Sequence, residues 1–154
     1  MRNTEAVRAP QWCGRDAGKY FQITEWPAAR AEKWAFKALL AYNRGGGQID
    51  VAQAHGMGME AIALIGANVF LRGQMTAEEI VPVLDELLEC VKIIRDPKAR
   101  DPEGKVVATE LVSEDDVEEV RTRLWLRSEV IRIHTGFSAA DVVSKLISAI
   151  MTPA

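Results

Sequence analysis

The apolar positions of this chain recur mainly at three- and four-residue steps, the spacing of amphipathic helices. Between Pro27 and the glycines at 45–47, such positions make one face, formed by Ala28, Ala31, Ala35, Ala38, Leu39 and Tyr42. Proline suits a first helical position, and glycine suits the position after a last one. The pattern therefore predicts a helix over 27–44.

Two further helices are predicted in the middle of the chain. Residues 57–72 are apolar nearly all round, which is typical of a central helix packed on several sides. The sequence Thr76-Ala77-Glu78-Glu79 is a capping box that predicts the start of the next helix. Pro82 follows its first turn, and we expect it to bend or restart that helix.

The longest helix is predicted from the cap at Ser113 to about His134, with Gly136 as its stop. One projected stripe, expected in the core, holds Val117, Val120, Leu124 and Ile131. A second apolar line holds Leu126, Val130, Ile133 and Phe137. A similar cap at 138–141 predicts a last helix.

Short strands are expected to complete the fold. Residues 12–15 and 19–24 flank the turn Asp16-Ala17-Gly18, and this arrangement predicts a β-hairpin. Segments 91–94 and 106–108 flank a proline-containing loop and are a candidate second hairpin. The sequence thus predicts a mostly α-helical fold of about five helices, with a minor β component.

Length and composition indicate one soluble domain. The chain has 154 residues, and we expect a flexible arm at 1–11 followed by a single helical domain at 12–154. Cys13 and Cys90 lie outside any CxxC spacing, which fits a reducing compartment. The most apolar stretch falls short of the ~20 residues that cross a bilayer. We therefore expect a cytosolic protein with no membrane partner.

The sequence carries no recognisable catalytic or metal-binding motif. The glycines at 45–47 follow a predicted helix and lack the lysine of a phosphate loop. His55 and His134 are far apart and show no ligand spacing with the cysteines. A run of carboxylates could supply an acid–base pair, but on an amphipathic helix it is more often a solvated face: Glu78, Asp85, Glu86 and Glu89. We expect no enzyme activity, cofactor or metal.

Charge is distributed unevenly along the chain. Residues 1–44 have a net charge of +4 (8 basic, 4 acidic), residues 45–119 of −10 (6 basic, 16 acidic) and residues 120–154 of +3 (5 basic, 2 acidic). The first predicted helix carries a basic stripe of Arg30, Lys33, Lys37 and Arg44. A solvated face, pairing with a neighbour's acidic surface and nucleic-acid binding are all compatible with it. The net acidic charge argues against nucleic acid.

Aromatic residues depart from a simple core pattern. Phe36, Leu40 and Ala29 project onto a flank of the first helix away from its alanine face. Trp125 projects among charged residues of the longest helix, about 100° from the expected core stripe. Tryptophan is a favoured interface anchor, although another element of the same fold could equally cover it. These placements favour a binding protein over an enzyme.

Three stretches resemble the tail assembly chaperones of tailed bacteriophages: "ITEWPAARAEKWAFKALLA", "VPVLDELLECV" and "DDVEEVRTRLWLRSEVIRIHTGFS". The resemblance covers most of 14–138 and rests on helix-surface patterns, with the Thr-Glu-x-Pro-Ala and His-Thr-Gly-Phe details. Trp26 departs from it, since a smaller apolar residue is expected there. The resemblance implies a small helical protein of the infected host's cytoplasm, absent from the mature virion. This chain would be the shorter product where a frameshifted long form exists.

The resemblance further implies two partners, the tape measure protein and the tail tube protein, together with homo-oligomerisation. Helical projection gives candidate partner contacts at Trp34, Phe36, Leu40, Trp125, Val130 and Phe137. It gives candidate self-association contacts at Arg30, Lys33 and Lys37 against Glu78, Asp85 and Glu89. The alternatives are another phage protein, such as a minor tail or head–tail joining component, and a small helical DNA-binding regulator.

Overall fold

The computed structural model describes residues 1–44 and 76–136. Within these ranges the chain forms four strands, two short 3-10 helices and three α-helices. The strands are β1 (Thr4–Arg8), β2 (Tyr20–Thr24), β3 (Val91–Ile94) and β4 (Thr109–Glu110). The α-helices are α1 (Ala28–Arg44), α2 (Ala77–Leu88) and α3 (Val120–Thr135). The predicted helix at 57–72, the glycines at 45–47 and the predicted last helix lie outside the described residues.

A four-stranded antiparallel sheet makes the fold a mixed α+β one, so the prediction of a mostly helical protein is wrong. The strands lie in the order β1-β2-β3-β4. Each strand is short, and β1 and β4 come from segments that carry little apolar periodicity. Helical spacing dominates the sequence pattern, and short strands with one polar face leave a weak signal beside it.

The first hairpin differs from its prediction. Strand β2 is where it was expected, but its partner is β1, with Val7 opposite Phe21. The residues predicted to be that partner instead form the 3-10 helix Gln11–Asp16, with Gly14 at φ 63°. The segment expected to be an N-terminal arm contains strand β1. Its alternation of exposed and half-buried side chains, from Thr4 to Arg8, is that of a strand with one face packed on the core.

The second hairpin is also shifted. Strand β3 coincides with its predicted range, but it pairs with Thr109–Glu110 rather than with 106–108. Lys92 lies opposite Glu110, and their side chains form an ion pair at 3.0 Å. Val106 instead forms an isolated bridge with Arg100 inside the connecting loop. Local pairing within the loop thus displaces the strand by several residues.

The core lies between one face of the sheet and the three helices. Alternate residues of β2 are buried, and Phe21 meets Trp125 of α3 edge-on, with ring centroids 6.4 Å apart. Buried side chains from the sheet and all three helices form one cluster, which includes Phe21, Ile23, Trp34, Leu39, Val83, Leu87, Val91 and Leu126. The opposite sheet face carries Thr4, Ala6 and Arg8 of β1, which are exposed.

Helices α1 and α2 begin close to their predicted starts. Pro27 immediately precedes α1, and its carbonyl accepts hydrogen bonds from the N–H groups of Arg30 and Ala31. Thr76 caps α2, and its N–H donates to the Glu79 carboxylate at 3.4 Å, which completes the capping box. The helix continues through Pro82 without a restart.

Helix α3 starts seven residues after Ser113, later than predicted. Ser113 caps the 3-10 helix Glu114–Asp116, and α3 begins at Val120 after Glu119. The break occurs because the buried Asp16 carboxylate accepts the N–H groups of Glu118 and Glu119. Gly136 ends the helix in the left-handed conformation, at φ 74°, as predicted.

The stripe predicted to be core is only partly buried, since Val117 and Ile131 pack against the core cluster and the other two members do not. In the stripe expected to be core, Val120 is 73% exposed and Leu124 is 45% exposed. The core instead takes Leu126, Val130 and Ile133. Both apolar lines have helical spacing, so the sequence does not show which of them faces the core. The hydrogen bonds of Asp16 to the residues just before α3 fix how the helix is rotated about its axis.

Candidate interaction surfaces

The carboxylate of Asp16 has no exposed surface, a degree of burial that only Thr122 shares among the polar residues that the structure describes. It accepts hydrogen bonds from the N–H groups of Glu118 (3.0 Å) and Glu119 (2.8 Å) and from Lys19 Nζ (2.7 Å). Lys19 also donates to the carbonyl of Asp115 at 2.6 Å. We call this set the Asp16 junction. It joins the β1–β2 connection to the first turn of α3.

The charge of Asp16 is stabilised by these partners. Burial alone raises the pKa of a carboxyl group, but the Lys19 ammonium and the N–H donors outweigh it and lower the pKa of Asp16 to about 2. The donors also occupy the helix N-terminus, where a negative charge is favoured. Asp16 is therefore ionised and fully engaged, as in a structural junction and unlike a general base.

A second buried carboxylate, Asp116, holds the segment before α3. Its Oδ2 accepts from the N–H groups of Val112 (3.1 Å) and Ser113 (3.0 Å). Its Oδ1 forms an ion pair with Arg95 Nη1 at 2.7 Å. Burial opposes ionisation, but the Arg95 guanidinium and the N–H donors together lower the pKa of Asp116. This carboxylate, too, serves the fold.

An open groove of about 590 Å³ lies beside the two carboxylates. Its walls include Lys19, Tyr20, Ile94, Arg95 and Asp116. The two basic side chains of these walls are paired with the buried acids, Lys19 with Asp16 and Arg95 with Asp116. Within the described residues, no three His, Cys, Asp or Glu side chains cluster as a metal site would require.

The basic stripe of α1 faces the acidic side of α2 within the same chain. Arg30 is paired with Glu89, and Lys37 with Glu86 at 3.0 Å. We call these two ion pairs the α1–α2 ladder. Arg30, Lys37 and Glu89, which were predicted to act in self-association, therefore each have an ion-pair partner in their own chain.

The other predicted self-association residues divide in a similar way. Asp85 binds Arg123 at 3.3 Å and Arg127 at 3.1 Å, both on α3. Lys33 and Glu78 form no ion pair with any residue that the structure describes. Of the six charged candidates, these two alone keep an unpaired charge within the described part of the chain.

The apolar flank of α1 is partly exposed, as projected. Phe36 is 36% exposed and Leu40, one turn later, is 53% exposed. Trp34 lies on the opposite side, where its indole is buried and donates to the Val83 carbonyl at 2.9 Å. Phe36 and Leu40 can therefore contact a partner directly, whereas Trp34 belongs to the core.

The α3 candidates are covered by the fold itself. Val130 is fully buried, and Trp125 is half-buried against Phe21. Phe137 lies outside the described residues. As partner contacts, Val130 is thus excluded in this conformation, and Trp125 offers only its outer edge.

The junction between α3 and the start of α1 was not anticipated from the sequence. The backbone N–H of Trp26 donates to His134 Nε2 at 2.8 Å, and His134 Nδ1 lies 2.8 Å from the Val130 carbonyl. This geometry assigns the proton to Nδ1. The Arg30 guanidinium stacks over the Trp26 ring, 4.7 Å from its centroid. A tryptophan directly before a helix-starting proline is the one signal that could have pointed to this anchor.

Comparisons with known protein families, curated proteins and solved structures find no match for this chain. Among the described helices, none is both long and apolar enough to span a bilayer. Inference about function therefore rests on the surfaces above and on the sequence resemblance.

Proposed function

We propose that this chain is a tail assembly chaperone of a tailed bacteriophage, without catalytic activity. In this role it binds the tape measure protein, keeps it soluble in the host cytoplasm and passes it to tail tube subunits, and it is absent from the finished virion. Support comes from the three resembling stretches, of which the first covers α1 as far as Ala41 and the last includes α3.

One observation carries the binding part of this proposal, the exposed pair Phe36 and Leu40 on α1. The two side chains lie one helical turn apart and next to Lys33, which has no ion-pair partner among the described residues. A tape measure protein is expected to present long amphipathic helices, and two apolar anchors at helical spacing suit one such helix. Full burial of side chains of this size contributes roughly 1.5–3 kcal/mol each.

The test is co-expression with the tape measure protein of the same phage. The wild-type chain should keep that protein soluble and co-purify with it. The double substitution Phe36→Glu and Leu40→Glu should abolish both effects, because it places two charges in the contact. A matched control is Val120→Glu with Leu124→Glu, an exposed pair at the same spacing on α3. The control should behave like the wild type.

Three results would contradict the proposal. The first is a wild-type chain that neither solubilises nor co-purifies the tape measure protein. The second is recovery of the chain from purified virions at a stoichiometric level, which would indicate a structural tail protein. The third is tight binding to DNA at about 0.15 M salt, which would indicate a regulator because phosphate contacts dominate such binding.

A further inference from the structure

The two edge strands of the sheet differ in how readily a further strand could pair with them. Strand β4 is two residues long, and a very short edge strand offers little to a second chain. Strand β1 is five residues long, pairs regularly with β2 and contains no proline, lysine or bulge. Among the described residues, its outer edge has no strand beside it. Its length and regular pairing leave this edge able to accept a further strand, although it carries the charges of Glu5 and Arg8.

The backbone groups on that outer edge can be identified from the pairing with β2. The Ala9 N–H donates to Lys19, and the Glu25 N–H donates to the Asn3 carbonyl, both at 2.9 Å. The odd-numbered residues of β1 therefore point their N–H and C=O groups toward β2. Because these groups alternate along an antiparallel strand, those of Thr4, Ala6 and Arg8 point away from the sheet.

We propose that β1 pairs with β1 of a second copy of this chain, so that two four-stranded sheets become one continuous sheet. The strands run antiparallel about a two-fold axis at Ala6. Ala6 then faces its own symmetry mate, Thr4 faces Arg8, and Glu5 faces Val7. All the outward N–H and C=O groups of the three residues are satisfied, in about six hydrogen bonds.

Charge and size favour this occupant and this register. Slipping the pairing by two residues toward the N-terminus brings Glu5 opposite Glu5, and slipping it the other way leaves Thr4 unpaired. In the register centred on Ala6 no like charges lie directly opposite each other, and the smallest side chain of the strand, Ala6, lies on the axis. Strand β1 is thus complementary to a second copy of itself. An unrelated peptide would share this complementarity only by chance.

The α1–α2 ladder makes this edge the better candidate for self-association. The charged residues first expected to join two copies are mostly paired within one chain. The β1 edge needs no rearrangement of those pairs. The inference is also independent of the proposed function, since a dimer could form whether or not the chain binds a tape measure protein.

Cross-linking tests the register directly. In a hydrogen-bonded antiparallel pair, opposing Cα atoms are about 5.5 Å apart, which is within disulfide range. The variant Ala6→Cys should therefore form a covalent dimer under mild oxidation. Gln22→Cys is the matched control, on the same sheet face but one strand inward, and it should not cross-link. Cys13 and Cys90 are buried and do not compete.

Sedimentation over a concentration series tests the strength of the association. Ala6→Pro removes an outward N–H that the pairing with β2 does not use, so it should leave the far-ultraviolet circular dichroism unchanged and abolish the dimer. At Thr4, glutamate should tighten the dimer and lysine should weaken it, because each faces Arg8 of the other copy. Two such pairs per dimer predict roughly a tenfold difference in Kd between the two variants.

The inference is overturned if the wild type stays monomeric throughout the series, or if Ala6→Cys cross-links no faster than Gln22→Cys. It is also overturned if folded Ala6→Pro dimerises like the wild type. Should Ala6→Pro fail to fold, the ordering of the two Thr4 variants decides: an equal Kd for both rules out this register.

Discussion

Charged side chains are held in two contrasting ways in this molecule. In the Asp16 junction, one carboxylate without exposed surface receives two backbone N–H groups and a lysine. In the α1–α2 ladder, the pairs join long side chains that remain partly in water; the Lys37 side chain is 57% exposed. The first arrangement determines where α3 starts, whereas the second lies over a packing contact already made by Trp34.

The difference follows from solvent. An exposed ion pair exchanges good hydration for a weak, screened attraction and contributes about 0–1 kcal/mol. A buried carboxylate is shielded from water. Removing it therefore leaves its hydrogen-bond donors without an acceptor inside the protein. We therefore expect the junction to dominate both the stability of the fold and its response to acid, and the ladder to affect neither strongly.

The largest expected effect is that of Asp16→Ala. Breaking a buried, hydrogen-bonded charge pair by removing one partner costs about 3–5 kcal/mol, a large share of the 5–15 kcal/mol typical of a whole domain. The free energy of unfolding, measured by urea denaturation, should fall by that amount. Loss of the N–H acceptor should also fray the first turn of α3, which amide hydrogen exchange at Glu118 and Glu119 would detect.

Asp115→Ala is the matched control for that experiment. Asp115 is an exposed aspartate of the segment before α3, and it contributes only its backbone carbonyl to the junction. We expect a change within about 0.5 kcal/mol. If the two alanine variants lose equal stability, the junction is no more than another surface contact, and the contrast with the ladder fails.

The second-largest expected effect is a loss of folding stability in acid. The pKa of Asp16 in the folded protein is about 2, below its ordinary value of 3.8. Because the folded-state value is the lower one, the stabilisation is fully present above pH 3.8 and is lost as the pH falls toward 2. Its size is about 2 kcal/mol. Urea titrations between pH 6 and pH 2 should show this loss, and Asp16→Asn should reduce the slope.

Asp116 has a lowered pKa as well and adds to the loss in the same direction. The Asp16→Asn protein should therefore keep some acid sensitivity, which Asp116→Asn should reduce further. A stability that is equally pH-dependent in the wild type and in Asp16→Asn would show that Asp16 is not held as an ion in the fold.

The sequence predicted more of this molecule's helices than of its junctions. Helical periodicity and the Thr76 capping box gave α1 and α2 because those signals are local. The start of α3 was misplaced because Ser113 does cap a helix, but a 3-10 turn of three residues. What stops that turn is Asp16, about a hundred positions earlier, and no local pattern encodes such a contact.

The same limit applies to the surfaces. Exposure of Phe36 and Leu40 could be projected because α1 has a single alanine-rich face to bury. Helix α3 has two apolar lines, so the sequence left open which one is core. The wrong choice placed Val130 among the exposed candidates, and Leu124 in the core. Strand β1 was missed because a five-residue strand with a single apolar residue on its packed face, Val7, resembles a polar tail.

The smallest expected effect is in the α1–α2 ladder. A double-mutant cycle with Lys37→Ala, Glu86→Ala and the double variant should give a coupling energy of about 0.2–1 kcal/mol, because both side chains keep water contact. The coupling should shrink as salt rises to about 1 M, where screening acts within about 3 Å. Unfolding in urea at low and high salt measures both quantities. A coupling above about 2 kcal/mol that does not decrease with salt would mean that the ladder is as strong as a buried ion pair. Solvent exposure would then no longer explain why the Asp16 junction contributes more to the stability of the fold than the ladder does.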